Sequence, residues 1–203
     1  MEPDQSFELR DGDLAFQDLA GTGAAAIESV TPGYQNAEVS HVGIFLRIGS
    51  TPYVVEAFPP EVRLTPWAVF LRRAKDQQGR PRVFMGRIRR QHRDLIPRAL
   101  KKAISLRGLP YDRVYLSGED AYYCSELVVD AFKSANGGVE FFPERPMSFS
   151  DPRTGLVLDY WRRYYEYFGL EVPVGQRGSN PGQISLSTHI EVLHRYGFLT
   201  NWH

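Results

Sequence analysis

Apolar and polar positions follow distinct rhythms along this chain, and each rhythm marks an element. His41 to Leu46 (HVGIFL) and Thr51 to Phe58 (TPYVVEAF) are short runs rich in β-branched and aromatic residues, and each predicts a strand. Residues 82–89, with VFMGRI at their centre, predict a third. Thr65-Pro66 reads as the N-cap and first residue of a short helix ending near Arg73. Asp94 is placed to cap a longer helix with Leu95, Ile96, Ala99, Leu100, Ala103 and Ile104 on one face, and Gly108 sits where the chain would leave it. The clearest helical signal runs from Cys124 to Ala135. There Cys124, Leu127, Val128, Ala131, Phe132 and Ala135 recur at helical spacing, and Asn136-Gly137-Gly138 ends the run.

The remaining segments are read from punctuation. Asp11-Gly12-Asp13 is a turn signal before the short apolar run Leu14-Ala15-Phe16. Residues 20–38 are rich in glycine and alanine and admit a short helix or a loop. An aromatic-rich helix is expected over 156–168, stopping at Gly169. After a proline- and glycine-rich stretch at 173–181, Thr188 and Glu191 form a capping box that predicts one last short helix. No repeat or low-complexity tract interrupts the chain. Its 203 residues suit one domain, with 140–203 as a helical and loop appendage packed on the rest.

Composition narrows the function classes. Lysine plus arginine equals aspartate plus glutamate, 24 of each, so charge gives no reason to expect a nucleic acid or an anionic membrane surface as partner. No stretch is long and apolar enough to predict a transmembrane segment. Met1-Glu2-Pro3-Asp4-Gln5 has neither a basic nor an apolar leader region. The expectation is therefore cytoplasmic if Met1 is the native start, and periplasmic or secreted if a leader was removed. A single cysteine excludes an intramolecular disulfide. His92, His189, His194 and His203 have no ligand spacing with carboxylates or the cysteine, so no metal and no cofactor is expected. Nothing in the pattern fixes an oligomeric state.

The candidate chemistry lies in the hairpin and in the cysteine helix. A hairpin with the four-residue loop Arg47–Ser50 places His41 directly opposite Glu56, within hydrogen-bond reach on one face. A two-residue change of register would separate them. Glu56 has apolar neighbours on both parities, which suggests a buried strand, and a buried glutamate needs a partner. That partner is either His41, whose tautomer and basicity it would set, or an arginine. Cys124 opens the amphipathic helix on its apolar face. The helix N-terminus favours a thiolate there. Cysteine, histidine and carboxylate are the parts of a nucleophilic acyl-transfer site, although a free cysteine is more often a small core residue. The aromatic set Tyr160, Trp161, Tyr164, Tyr165, Tyr167 and Phe168 reads as a core-packing helix face or as the lining of a substrate groove.

GDLAFQD (12–18), SHVGIFL (40–46), VVEAFP (54–59), LTPW (64–67), GLPYD (108–112) and YYCSELV (122–128) occur in this order. Together they resemble the YiiX-like permuted members of the NlpC superfamily of papain-like cysteine hydrolases, over residues 12–135, with a looser echo at NPGQISLS (180–187). The resemblance implies an α+β fold: a small antiparallel sheet packed on helices, with a circularly permuted papain-like (NlpC-type) core over 12–139. It implies Cys124 as nucleophile, His41 as base and Glu56 as the residue that orients it. In this order the histidine precedes the cysteine, as permutation requires. Tyr111 and Tyr123 are candidates for a hydroxyl in the oxyanion hole, and Asp112 for a structural or substrate-contacting role. The implied substrate is a peptide-like amide, with murein-derived peptides among the candidates, or else a lipid-like acyl ester. A binding module that turns over nothing is the remaining alternative. A hydrophobic groove beside the cysteine would favour acyl chains, and a polar one peptides.

Overall fold

The computed structural model describes residues 7–116, 118, 120–199 and 201–202. Its strands are β1 (Leu14–Gln17), β2 (His41–Ile48), β3 (Thr51–Phe58), β4 (Glu61–Pro66), β5 (Val83–Ile88), β6 (Arg145–Pro146), β7 (Arg177–Gly178) and β8 (Ile190–Tyr196). Its α-helices are α1 (Thr22–Val30), α2 (Trp67–Arg73), α3 (Ile96–Ser105), α4 (Cys124–Ala135), α5 (Asp159–Tyr167) and α6 (Pro181–Ser185). The main sheet has the order β4-β3-β2-β1-β5-β8, and every neighbouring pair is antiparallel. β6 and β7 form a separate two-stranded ladder. Among the described residues no helix is long and apolar enough to cross a membrane.

Strand alternation sorts the sheet's side chains into two cores. Leu14, Phe16, Val42, Ile44, Val55, Ala57 and Phe84 face one way and cluster with Leu127, Val128, Ala131 and Phe132 of α4 and with Ala99 and Ala103 of α3. Ala15, Phe45, Val54, Val83 and Met85 face the other way and meet Phe70 of α2. Both faces are covered, which is why β2 and β3 read as nearly continuous apolar runs. On α4, nine of twelve residues are buried, and Arg98 Nε closes its C-terminal end by donating to the Ala135 carbonyl at 2.9 Å.

The structure departs from the sequence reading in four places. Asp94 does not cap α3: it lies inside a 3-10 turn, Arg90–Leu95, and Leu95 holds the cap position before Ile96. The β2–β3 hairpin pairs Ile44 with Val55 and Ile48 with Thr51, so its loop is the two-residue Gly49-Ser50, not the four-residue Arg47–Ser50. Gly49, at φ +62°, supplies the left-handed residue that so tight a loop needs. Residues 61–66 form a strand where a helix was expected to begin at Thr65, and the helix starts at Trp67. Residues 190–196 form β8, where the Thr188–Glu191 capping box predicted a helix. Ile190 and Val192 pair with Ile88 and Gly86 of β5, so sheet pairing overrides the local capping signal. Part of the C-terminal segment thereby joins the main sheet.

Candidate active site

Glu56 and His41 lie on the α2 side of the sheet, the parity of Val54 and Phe45. Continuing the hairpin's register puts Glu56 beside Gly43, two residues from His41, so the pair is diagonal. Diagonal neighbours are within reach of long side chains, and here His41 Nε2 lies 2.5 Å from Glu56 Oε2. Gly43 makes this possible. A Cβ there would collide with Val54 Cγ1 and lie 3.1 Å from Glu56 Cβ.

The carboxylate is fully engaged. Its Oε1 accepts from Thr65 Oγ1 at 2.5 Å and from Arg73 Nη2 at 2.6 Å. The two sequence readings of Glu56, histidine partner and arginine partner, are thus both realised. Arg73 is fixed in turn by its guanidinium carbon lying 3.8 Å from the centroid of the Phe58 ring. Glu56 has no exposed surface, and burial raises its pKa, but the His41 and Arg73 contacts outweigh burial and bring it to about 2. An ionised Glu56 can only accept, so Nε2 of His41 carries the proton. The other ring nitrogen is left for Cys124, with which the imidazole also hydrogen-bonds. Burial depresses the His41 pKa, but the bonds to Cys124 and Glu56 reverse this and leave it raised.

Cys124 is the first residue of α4, is nearly buried, and has its Sγ 4.0 Å from the Ser40 carbonyl. α4 packs on the opposite face from Glu56, so the three side chains meet at the end of the sheet, where β2 begins. The first N–H groups of a helix have no intrahelical acceptor, so the backbone of α4 offers donors beside the thiol. Glu126, in the first turn of α4, accepts from Gly118 N at 3.1 Å and Tyr123 N at 3.3 Å. Burial raises its pKa to about 8 despite those bonds, so it is largely neutral at pH 7.

The other sequence candidates are placed as follows. The Tyr123 hydroxyl accepts from Ser179 N at 3.0 Å. Tyr111 is near Cys124 and hydrogen-bonds with Tyr115, and burial first and then these neighbours hold its pKa well above the usual phenol value. Asp112 accepts from Val114 N and Leu116 N, both at 2.7 Å. It thereby pins a turn in which Tyr115, at φ +55°, adopts the left-handed region rarely used by a bulky residue.

A cavity of about 330 Å³ opens beside Cys124. Its walls include Ile27, Val30, Tyr115, Met147, Phe149 and Trp161. Trp161 is the member of the expected aromatic set that reaches this cavity, while Tyr165 is core and Tyr167 is exposed. The sequence reading missed Thr65 and Arg73, which hold Glu56, and the cavity residues outside α5. An arginine one helix after a buried glutamate is a signal for Arg73. The cavity residues come from seven separate segments and share no local pattern.

Among the described residues one group of three carboxylates, Asp18, Glu28 and Glu38, brings ligand atoms within 4.8 Å of one another. The sequence search, built on histidine and cysteine spacing, passed over them. The all-oxygen donor set suits a hard divalent cation in kind, but Arg82 already pairs with Asp18 at 3.1 Å. Burial raises the Glu28 pKa to about 7 against the hydrogen bond from Ser40. These acids are not part of the Cys124–His41–Glu56 chain.

Comparison with known proteins bears on both fold and chemistry. A family described as permuted papain-like amidase enzymes, YaeF/YiiX, C92 family, matches residues 8–184. The uncharacterized protein YiiX of Escherichia coli strain K12 is 26% identical over 135 residues. Those residues are 66% of this chain and 63% of YiiX, so the match spans less than two thirds of that protein. A crystal structure of yiiX from Escherichia coli O157:H7, described as a metalloprotein, has the same fold. It superposes with a TM-score of 0.75 at 21% identity and covers 93% of this chain and 98% of its own.

Proposed function

This chain belongs to the YaeF/YiiX C92 family of permuted papain-like amidases, and we propose that it is a cysteine amidase acting on an amide whose acyl side is apolar. The buried chain Cys124–His41–Glu56, ending at the mouth of an apolar cavity, carries this reading. His41 holds the Cys124 proton, with the imidazolium supported by Glu56. The thiolate attacks the amide carbonyl, and the oxyanion forms beside the free N–H groups at the start of α4. The C–N bond breaks as His41 gives its proton to the leaving amine, which leaves a thioester on Cys124. His41 then takes a proton from water, hydroxide attacks the thioester, and the acid and the thiol are released.

The cavity favours an acyl chain over a murein peptide, because most of its exposed lining surface is apolar, although Arg145, Ser148, Ser179, Asn180 and Gln183 also stand in its walls. The test is to incubate the protein with decanoyl amides of a good leaving amine and look for a decanoyl adduct on Cys124 by mass spectrometry. The adduct should form in the wild type, be absent in Cys124→Ala, and accumulate when deacylation is quenched. A product released at equal rates by the wild type and Cys124→Ala would refute the reading.

A further inference from the structure

Among the described residues that line the cavity beside Cys124, Arg145 is the one lysine, arginine, aspartate or glutamate. Its side chain is exposed. Among the described residues it forms no ion pair. The other arginine of the same two-stranded ladder, Arg177, pairs with Glu140 at 2.7 Å. Glu144, next to Arg145 in sequence, stands in a different depression, with Lys133 and Glu126. The cavity therefore carries a positive charge that no carboxylate of this chain neutralises.

The ladder turns this side chain toward the cavity. Arg145 pairs with Gly178 across β6 and β7, and directly opposed residues share a face. Gly178 shows which face that is. A Cβ there would collide with Met147 Sδ and lie 3.1 Å from the Tyr123 hydroxyl. Met147 and Tyr123 both line the cavity, and Met147 follows Arg145 by two residues, the spacing of one strand face. Arg177, one residue from Gly178, takes the opposite face, where it meets Glu140. Arg145 also borders a second depression together with Gln183, which places it at the rim of the cavity and not on its floor.

A cation at the rim of an apolar cavity suits a ligand that is apolar at one end and anionic at the other. One guanidinium fork matches one carboxylate. A dianionic phosphate would call for a second cation, and the described lining holds none. Position decides which half of the substrate carries the charge. Phe149 and Trp161, 4% and 2% exposed, form the deep walls that suit the acyl chain. Arg145 is on the open side, so its partner belongs to the half beyond the scissile bond. Resting on the amidase reading of Cys124, we infer that Arg145 is a specificity-determining residue that pairs with a carboxylate on the amine half of the substrate, so that the preferred substrates are N-acyl amino acids. Hydrolysis then releases the acid from the cavity and the amino acid from the rim.

Three probes test this: N-octanoylglycine, its uncharged counterpart N-octanoylglycinamide, and the mono-N-methylamide of decanedioic acid, whose carboxylate sits at the far end of the acyl chain. Dissociation constants are measured by calorimetry on Cys124→Ala, which cannot consume the probes, with Arg145 intact or replaced. Only ratios between probes within one protein are read, so a general change of affinity in a variant does not enter. With Arg145 intact, N-octanoylglycine should bind about tenfold tighter than either of the other two, the effect of one charge-assisted hydrogen-bonded pair. Its advantage over the glycinamide should vanish in Arg145→Gln, invert in Arg145→Glu, survive in part in Arg145→Lys, and narrow in high salt. No measurable binding of N-octanoylglycine, an advantage that survives Arg145→Gln, or equal or tighter binding of the far-end carboxylate would overturn the inference. Failure of the amidase reading shows separately. If N-octanoylglycine binds with the expected ratios but the wild type releases no glycine from it by a Cys124-dependent reaction, the amidase reading fails and recognition by Arg145 stands.

Discussion

Glu56 does two jobs with its two oxygens. One fixes the proton on His41, and the other is held by Thr65 and Arg73. Removing Arg73 should therefore act through Glu56. Arg73→Gln is expected to lower kcat more than it raises KM, with a rate loss of about 10- to 100-fold on any acyl amide found to turn over. The pH dependence has a definite sign. The folded pKa of Glu56 lies near 2, below its ordinary value of 4.5, so its contribution to stability is complete above about 4.5 and is lost as pH falls toward 2. The gap in melting temperature between the wild type and Glu56→Gln should be largest above pH 5 and close on acidification. A gap independent of pH would mean that the carboxylate is not charged in the fold. His41 runs the other way. Its pKa is raised, so its stabilisation is complete below about 6.5 and is lost as pH rises through the raised value. Cys124→Ala, a swap between small buried residues, should cost only about 1 kcal/mol of stability and remove thioester formation altogether.

Among elements, the β2–β3 hairpin shows what the sequence made legible and what it hid. His41 and Glu56 were recognisable as partners because both stand in apolar strands and a buried carboxylate must find a donor. The register was not legible. Loops of two and four residues both fit the text around Gly49, and the shorter one moves Glu56 from opposite His41 to opposite Gly43. The pair survives because glutamate is long and Gly43 leaves room. Gly43→Ala is accordingly expected to destabilise the fold by about 1–3 kcal/mol and to slow Cys124 alkylation. Unchanged stability, measured by chemical denaturation, would count against this close packing. α4 was readable to its ends because periodicity, a terminal cysteine and Asn136-Gly137-Gly138 agree. β8 was misread because the capping box at Thr188 is a local signal, and the partner strand that overrules it lies about a hundred residues earlier.

At the scale of the molecule, the site exists because the sheet is covered on both faces. α2 and Arg73 hold Glu56 from one side, while α4 brings Cys124 from the other, and His41 joins them at the start of β2. Six ordered blocks made the Cys124, His41 and Glu56 positions of this arrangement visible in the sequence. The cavity was not visible, because its walls are gathered from α1, Ser40, the Tyr115 turn, the start of α4, residues 145–149, α5 and residues 178–183. If the cavity is the acyl site, a charge inside it should discriminate by ligand. Val30→Asp should slow an alkyl chloromethyl ketone at least tenfold and leave iodoacetamide nearly unaffected. Equal slowing of both reagents would place the substrate elsewhere.

The central claim is that His41 holds the proton of Cys124 and thereby makes it a nucleophile. It is tested most directly by the rate of Cys124 alkylation by iodoacetamide at pH 6.5 in the wild type and in His41→Ala. Rapid alkylation in the wild type, and a rate about 100-fold lower in the variant, is the expected result. Equal rates in the two proteins would show that the imidazole does not activate the thiol and would contradict the account.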